Sequence, residues 1–232
     1  MPSMNLRAKL LAGALLVAGA GGAATVAATS MAGSAAGAVG GSTLAIAADS
    51  SQVPLVKSGF TAAITADQQS GAPATAATAA NMTADAAATY RAAVDAAVGA
   101  KGLAPAADTA VRQAQQQDGK RVLARYFAPA QAKHEEVGLN NAVQAEANPK
   151  FRNIGAGVSN VKYDEVAVSG NTATLIAEVT IWSKFQQLQS DGSWTTSDPV
   201  NVMIYHVTME RGTNGQWVVS SMVGDFAPGQ AP

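Results

Sequence analysis

The sequence predicts an α+β domain: helices come first, then a mostly antiparallel sheet of about four long strands, packed as one layer on another. Three observations predict it. Apolar residues between positions 107 and 149 recur at helical spacing. From Val158 onward the period changes to two. Gly170-Asn171, Asp191-Gly192 and "GTNG" (212–215) separate the alternating runs as turns do. The large aromatic side chains gather in the same region. All three Trp lie beyond position 120, as do Tyr126, Tyr163 and Tyr205, while only Phe60 and Tyr90 among the Phe and Tyr residues lie before it. The expected globular domain is therefore 107–226, within the usual range of about 50–200 residues.

Asp108 is placed to cap the first helix of this domain. Val122 with Tyr126, and Leu123 with Phe127, stand one turn apart and form its strongest apolar cluster. Gly119 is expected to weaken or bend it, and Ala128-Pro129 to stop it. Pro129 can open a further helix, which Gly138 is expected to end. Leu139, Ala142 and Val143 continue at helical spacing up to Pro149, so one or two short helices are expected here.

The first strand is expected over 158–168. Its apolar positions 161, 163, 166 and 168 change parity between 163 and 166, which predicts a bulge or bend. "GAGVS" (155–159) reads as a flexible approach to it. Strands are then expected over 172–186, 199–211 and 216–226, with a flexible tail at 227–232.

The chain before this domain reads differently. Arg7 and Lys9 precede the apolar run "LLAGALLVAGA", and the next charged residue is Asp49. A basic segment, an apolar segment and then small residues form an export signal, with "AIA" (45–47) or "SMA" (30–32) as a cleavage site. The uncharged window also exceeds the roughly 20 residues of a membrane span, so 1–47 is a signal peptide or an N-terminal anchor. Either way the expected location is secreted or extracytoplasmic. Residues 48–106 read as an Ala-rich linker, too poor in large apolar groups to offset its ordering entropy. Within it, Thr83 and the stripe Tyr90, Val94, Val98 predict one thin helix over 83–98, and 102–105 reads as a hinge.

Composition removes several classes of function. Net charge is −1 and 13% of residues are charged, with no basic stripe to neutralise phosphates, so nucleic acid is not an expected partner. There is no Cys, hence no disulfide, thiolate nucleophile or Cys-ligated zinc. His134 in "KHEE" lacks the H-E-x-x-H spacing, and two His make a metal site unexpected. Ser220-Ser221 lack the G-x-S-x-G elbow, and "GAGVS" lacks the G-K-[ST] of a phosphate loop. No cofactor is expected.

Helices followed by long hairpins, ending in "GQWVVSSMVGDF" (215–226) with Trp217 opening the last strand, resemble the nuclear-transport-factor-2-like superfamily, which includes SnoaL-like cyclases and ketosteroid isomerase. The resemblance covers 107–226. It implies a strongly curved, cone-shaped sheet with helices across the concave side, a pocket or a filled space between them, and an open sheet face used for dimers or partners. The whole arrangement also resembles exported actinobacterial proteins of unknown function, some of them scaffold or accessory subunits of envelope machinery.

Candidate residues follow from the strand patterns. In 172–185 the odd positions from Ala173 to Phe185 form a core face, and the even ones place Ile176, Glu178 and Trp182 on the other. Strand 199–211 is partly apolar on both faces, so something is expected to cover each side of the sheet. Trp182, Tyr205 and Ile176 are the expected interface residues. Glu178, His206, Tyr126 and Asp225 are the candidate acid–base groups, with Glu178 as a cross-strand partner for His206. No residue matches the isomerase motif in register. The expected function is that of an exported, non-catalytic module that binds an envelope protein, or a second copy of itself, through the sheet face. Membrane contact is expected only through an uncleaved N-terminus. The alternative is an extracytoplasmic small-molecule binder, isomerase or cyclase using the cone cavity.

Overall fold

The computed structural model describes residues 50–70, 92 and 102–230. The expected signal over 1–47 and, Ala92 apart, the expected helix over 83–98 lie outside the described residues.

The first described element corrects the linker expectation. Val53–Ser70 forms a helix, α1, not a spacer. Val56, Phe60, Ala63 and Ile64 follow helical spacing and are each 0% exposed, so the stripe is complete although the surrounding composition is small and polar. Pro54 stands in the first turn, where its missing N–H is no loss. α1 is also tied to the sheet by polar contacts. The Tyr163 hydroxyl donates to the Lys57 carbonyl at 2.6 Å, and Trp217 Nε1 donates to Gln52 Oε1 at 3.4 Å.

Helix α2 (Thr109–Tyr126) starts where the sequence places it, with the Asp108 carboxylate accepting from the Val111 N–H at 2.9 Å. Gly119 does not split it. A Cβ there would lie 2.6 Å from Leu139 Cδ2, so the glycine lets the next helix approach closely. That helix, α3 (Pro129–Ala145), is one continuous element, and Gly138 is buried within it instead of ending it. Between the two, the Ala128 N–H donates to the Val219 carbonyl at 2.8 Å and Phe127 bridges Val219, which covers part of the last strand's free edge.

The sheet comprises β1 (Phe151–Ser169), β2 (Thr172–Leu188), β3 (Trp194–Ser197), β4 (Val200–Arg211) and β5 (Trp217–Phe226). Its order is β1-β2-β4-β5, all antiparallel, with β3 beside the end of β2. The short β3 is additional to the four expected strands. β1 begins seven residues before the expected Val158, so "GAGVS" lies in a strand. The hairpin turns fall where the sequence puts them. Gly170 (φ 59°), Gly192 (φ 84°) and Gly215 (φ 80°) take the left-handed conformations that turns of this kind require.

The cone-shaped expectation is corrected. The sheet is open, neither closed nor strongly curled. Register shifts occur in β1 at Asn153/Gly155, Val158/Asn160 and the expected Tyr163/Glu165, and between β4 and β5 at Thr208/Met209. The central pair stays in register from Thr172↔Glu210 to Trp182↔Val200. The bends thus belong to the flanking strands, and an unbroken centre keeps the whole open. All three described helices pack on one face, called inner here, over Leu175, Val179, Met203, Val207 and Met209.

Candidate functional site: the two faces of the sheet

Alternation sends the even positions of β2 and β4 to the outer face. Across β1, β2, β4 and β5 one row there reads Lys162, Glu178, Ile204, Asp225, and the next reads Glu165, Ile176, His206, Val223. Further along, Trp182 pairs with Gly157 and Val200. Its indole lies flat on β1: a Cβ at Gly157 would stand 3.0 Å from Trp182 Nε1, and one at Gly155 3.4 Å from the ring edge. The glycines of "GAGVS" are thus the floor under an aromatic ring that remains 37% exposed. Val200 and Val223 are exposed as well. An open groove of about 400 Å³ runs between Glu165, Thr174, Ile176, His206, Thr208 and Val223.

The expected acid–base residues do not converge. Glu178 is partly exposed, and its carboxylate lies 3.8 Å from Lys162 Nζ. His206 stands opposite Ile176, one pair removed from Glu178, and is exposed. Asp225 is exposed opposite Ile204. Tyr126 closes α2 in the helical layer on the other side, with the Arg125 guanidinium 5.2 Å from its ring. His134 is exposed on α3. Of the expected interface residues, Ile176 and Trp182 share the outer face. Tyr205 does not: it points inward and is 2% exposed, because it follows Met203 and precedes Val207 on the core side of β4. A Cβ on Gly224, its neighbour in β5, would meet the Tyr205 ring at 2.5 Å.

Behind the inner face lies a set of acids that the sequence reading missed. Asp67, in the last turn of α1, and Glu135, on α3, are 8% and 1% exposed. Burial pushes Asp67 up to about 7 against an opposing hydrogen bond from Gln68. Burial and then the Asp67 charge push Glu135 up to about 8, against the bond from Gln131 Nε2 to Glu135 Oε1 at 2.5 Å. Burial, Asp67 and Glu135, in that order, raise the Tyr205 phenol. A third acid, Glu146, accepts from Gln115 at 3.2 Å and Asn153 at 3.0 Å, and burial raises it to about 8. A signal for Glu135 was present. Read as one helix through Gly138, the stripe Ala132, Glu135, Leu139, Ala142 puts the carboxyl on the buried face. Asp67 was hidden with the rest of α1.

The hinge expected at 102–105 is held in place. Gln186 Nε2 donates to the Gly102 carbonyl at 2.6 Å, and Gln186 Oε1 accepts from the Ala104 N–H at 2.7 Å. Among the described residues no group of three or more His, Asp or Glu could hold a metal ion, and no helix is long and apolar enough to cross a membrane.

No protein-family description and no curated protein matches the chain. Several solved structures, the following two among them, resemble it in part. One is the intermembrane space region of chloroplast protein ARC6, at 14% identity and a TM-score of 0.35, covering 47% of this chain and 78% of that one. The other is an Ntf2-like protein involved in plasmid conjugation, at 11% identity and a TM-score of 0.28, covering 50% of this chain and 43% of that one. At these values neither likeness assigns a family or a function to this chain.

Proposed function

We propose that the chain is an exported, non-catalytic α+β module that holds a protein partner on the open face of its sheet, in the cell envelope or outside the cell. The observation that carries this reading is the apolar band of Ile176, Trp182, Val200, Ile204 and Val223, on the face opposite the three described helices, with the Trp182 ring laid on a glycine floor. Trp at the centre of such a patch offers a large rigid contact area at small entropic cost. The export signal read from Arg7 to Ala47 supports the location. The alternative, an isomerase- or cyclase-type enzyme, needs polar groups converging in a space under the helices. Phe60, Ile64, Leu123, Met203 and Met209 occupy that space, and Glu178, His206 and Asp225 stand on the opposite side of the sheet.

The test is capture of protein from an envelope extract by the full chain, comparing wild type with Ile204→Asp and Trp182→Ala. Loss of the bound protein in both variants, with the unfolding midpoint kept near wild type, supports the reading. Equal recovery by all three overturns it. The mass of the purified chain in solution tells whether the occupant is a second copy.

A further inference from the structure

We propose that the hydrogen bond between Asn153 and Glu146 positions the aromatic platform of the outer face: it holds β1 in the register that turns Gly155 and Gly157 outward beneath Trp182.

The inference rests on the binding role proposed for that face and names the residues that prepare it. Glu146 and Asn153 are both buried, 4% and 3% exposed. Asn153 Nδ2 donates to Glu146 Oε1 at 3.0 Å, and Gln115 Nε2 donates to the same oxygen at 3.2 Å. One carboxyl therefore joins the end of α3, the first half of α2 and the start of β1. Glu146 is itself fixed, because as the cap of α3 its N–H donates to the Ala142 carbonyl. An amide carried into the layer has given up its water, so its acceptor is what makes the inward position tolerable.

That inward position decides which residues of β1 face out. Phe151 and Asn153 are buried at odd positions, whereas Ile154 and Ala156 are buried at even ones. The change falls at the register shift between Asn153 and Gly155, where Ile154 is the extra residue. Past it, Gly155 stands opposite Lys184, Ala156 opposite Ser183 and Gly157 opposite Trp182. The start of the strand is pinned separately. The Phe151 ring lies 5.6 Å from that of Phe185, and the Leu188 N–H donates to the Lys150 carbonyl at 2.9 Å. With Asn153 released and Ile154 taken into the ladder, the strand beyond slips by one residue. Ala156 then stands opposite Trp182, and both glycines turn inward. The indole cannot keep its seat over a methyl, because a Cβ at Gly157 would stand 3.0 Å from Trp182 Nε1 and 3.1 Å from Cε2 and Cζ2. The flat ring on one side of the sheet thus depends on a hydrogen bond on the other.

The experiment is NMR spectroscopy of the full, partner-free chain. It reads the ring-current shift that Trp182 imposes on the Hα protons of Gly155 and Gly157, identified by its disappearance in Trp182→Ala. Asn153→Ala and Glu146→Ala remove the bond, and Glu146→Gln keeps an acceptor for both amides. The shift is expected in wild type and in Glu146→Gln, and is expected to be lost in both alanine variants while the signals of Val179, Met203 and Val207 stay in place. A loss of packing alone lowers stability and leaves the glycine signal where it is. A glycine shift retained in either folded alanine variant overturns the proposal, and so does its loss in Glu146→Gln. Should the alanine variants fail to fold, the wild-type chain decides on warming below its unfolding midpoint. Loss of the glycine shift together with the exchange protection of the Asn153 side-chain amide supports the proposal. A glycine shift that persists once that amide exchanges freely overturns it. No partner enters these measurements, so equal capture of envelope protein by wild type and Trp182→Ala would end the binding reading alone and leave the register device standing.

Discussion

The two faces of this one sheet are built from the same alternating strands and come to opposite ends. The inner face is sealed: Phe60 and Ile64 from α1 and Leu123 from α2 lie fully buried with Leu175, Met203 and Met209, and the carboxyls of Asp67, Glu135 and Glu146 are among those buried in the same layer. The outer face keeps charge and apolar area side by side in solvent, with Trp182, Val200 and Val223 exposed among Glu178, Lys162 and His206. The difference teaches where titratable chemistry has to be sought. Carboxyls visible in the strand pattern, such as Glu178 and Asp225, lie on the outer face. Those displaced by burial, Asp67 and Glu135, sit on helices, with Glu146 at the cap that follows α3, and a single acid within an apolar stripe is easy to pass over.

The sharpest way to break this contrast is to empty the sealed side. Phe60→Ala should cost about 3–5 kcal/mol in urea unfolding, as expected for a fully buried aromatic. A change below about 0.5 kcal/mol, typical of surface sites, would return α1 to the status of a tether.

That result bears directly on what the sequence could reveal. The alternation of Thr172–Leu188, the three glycine turns and the Asp108 cap depend on local chemistry, so the strands, hairpins and start of α2 were legible. α1 was not, because its stripe of Val56, Phe60, Ala63 and Ile64 is only four side chains set in Ala, Thr, Ser and Gly. Its helix is secured by tertiary packing more than by propensity. Gly119 and Gly138 misled for a related reason: both are spacing devices or buried positions within helices, and a neighbour such as Leu139 cannot be seen from local sequence. Curvature failed differently. The Tyr163/Glu165 bulge was legible, but the continuous β2–β4 register that keeps the sheet open is a long-range property. Of the site, alternation puts Trp182 and Ile176 on the outer face, whereas Tyr205 stands at the opposite parity of β4 and is buried.

Gly224→Ala should be the next largest effect. The added methyl presses on the Tyr205 ring from β5 and is expected to cost about 1–3 kcal/mol by overpacking. Thermal or denaturant unfolding reads it, and a neutral result would mean that Tyr205 is free to move.

Glu146→Gln sharpens the contrast by pH. Wild type should lose up to about 1.4 kcal/mol per pH unit from this group as pH rises from its unfolded value towards about 8. The variant keeps an acceptor for Gln115 and Asn153 without the proton, so its share of the slope should vanish. Midpoints measured at several pH values check this.

The smallest effects belong to the open side. Glu178→Gln removes a partly exposed pair with Lys162 and should change stability by about 0–1 kcal/mol. His206→Ala should stay within about 0.5 kcal/mol. A large loss in either variant would mean that the outer face is covered within the single chain.

Hydroxyl-radical labelling of the folded, partner-free chain puts the central contrast to the most direct test, because methionine and tryptophan report on both faces at once. The account predicts that Trp182 is modified while Met203, Met209 and Trp217 stay protected until the chain unfolds. Modification of Met203 and Met209 in the folded chain at rates matching Trp182 would mean an open interior, and would contradict it.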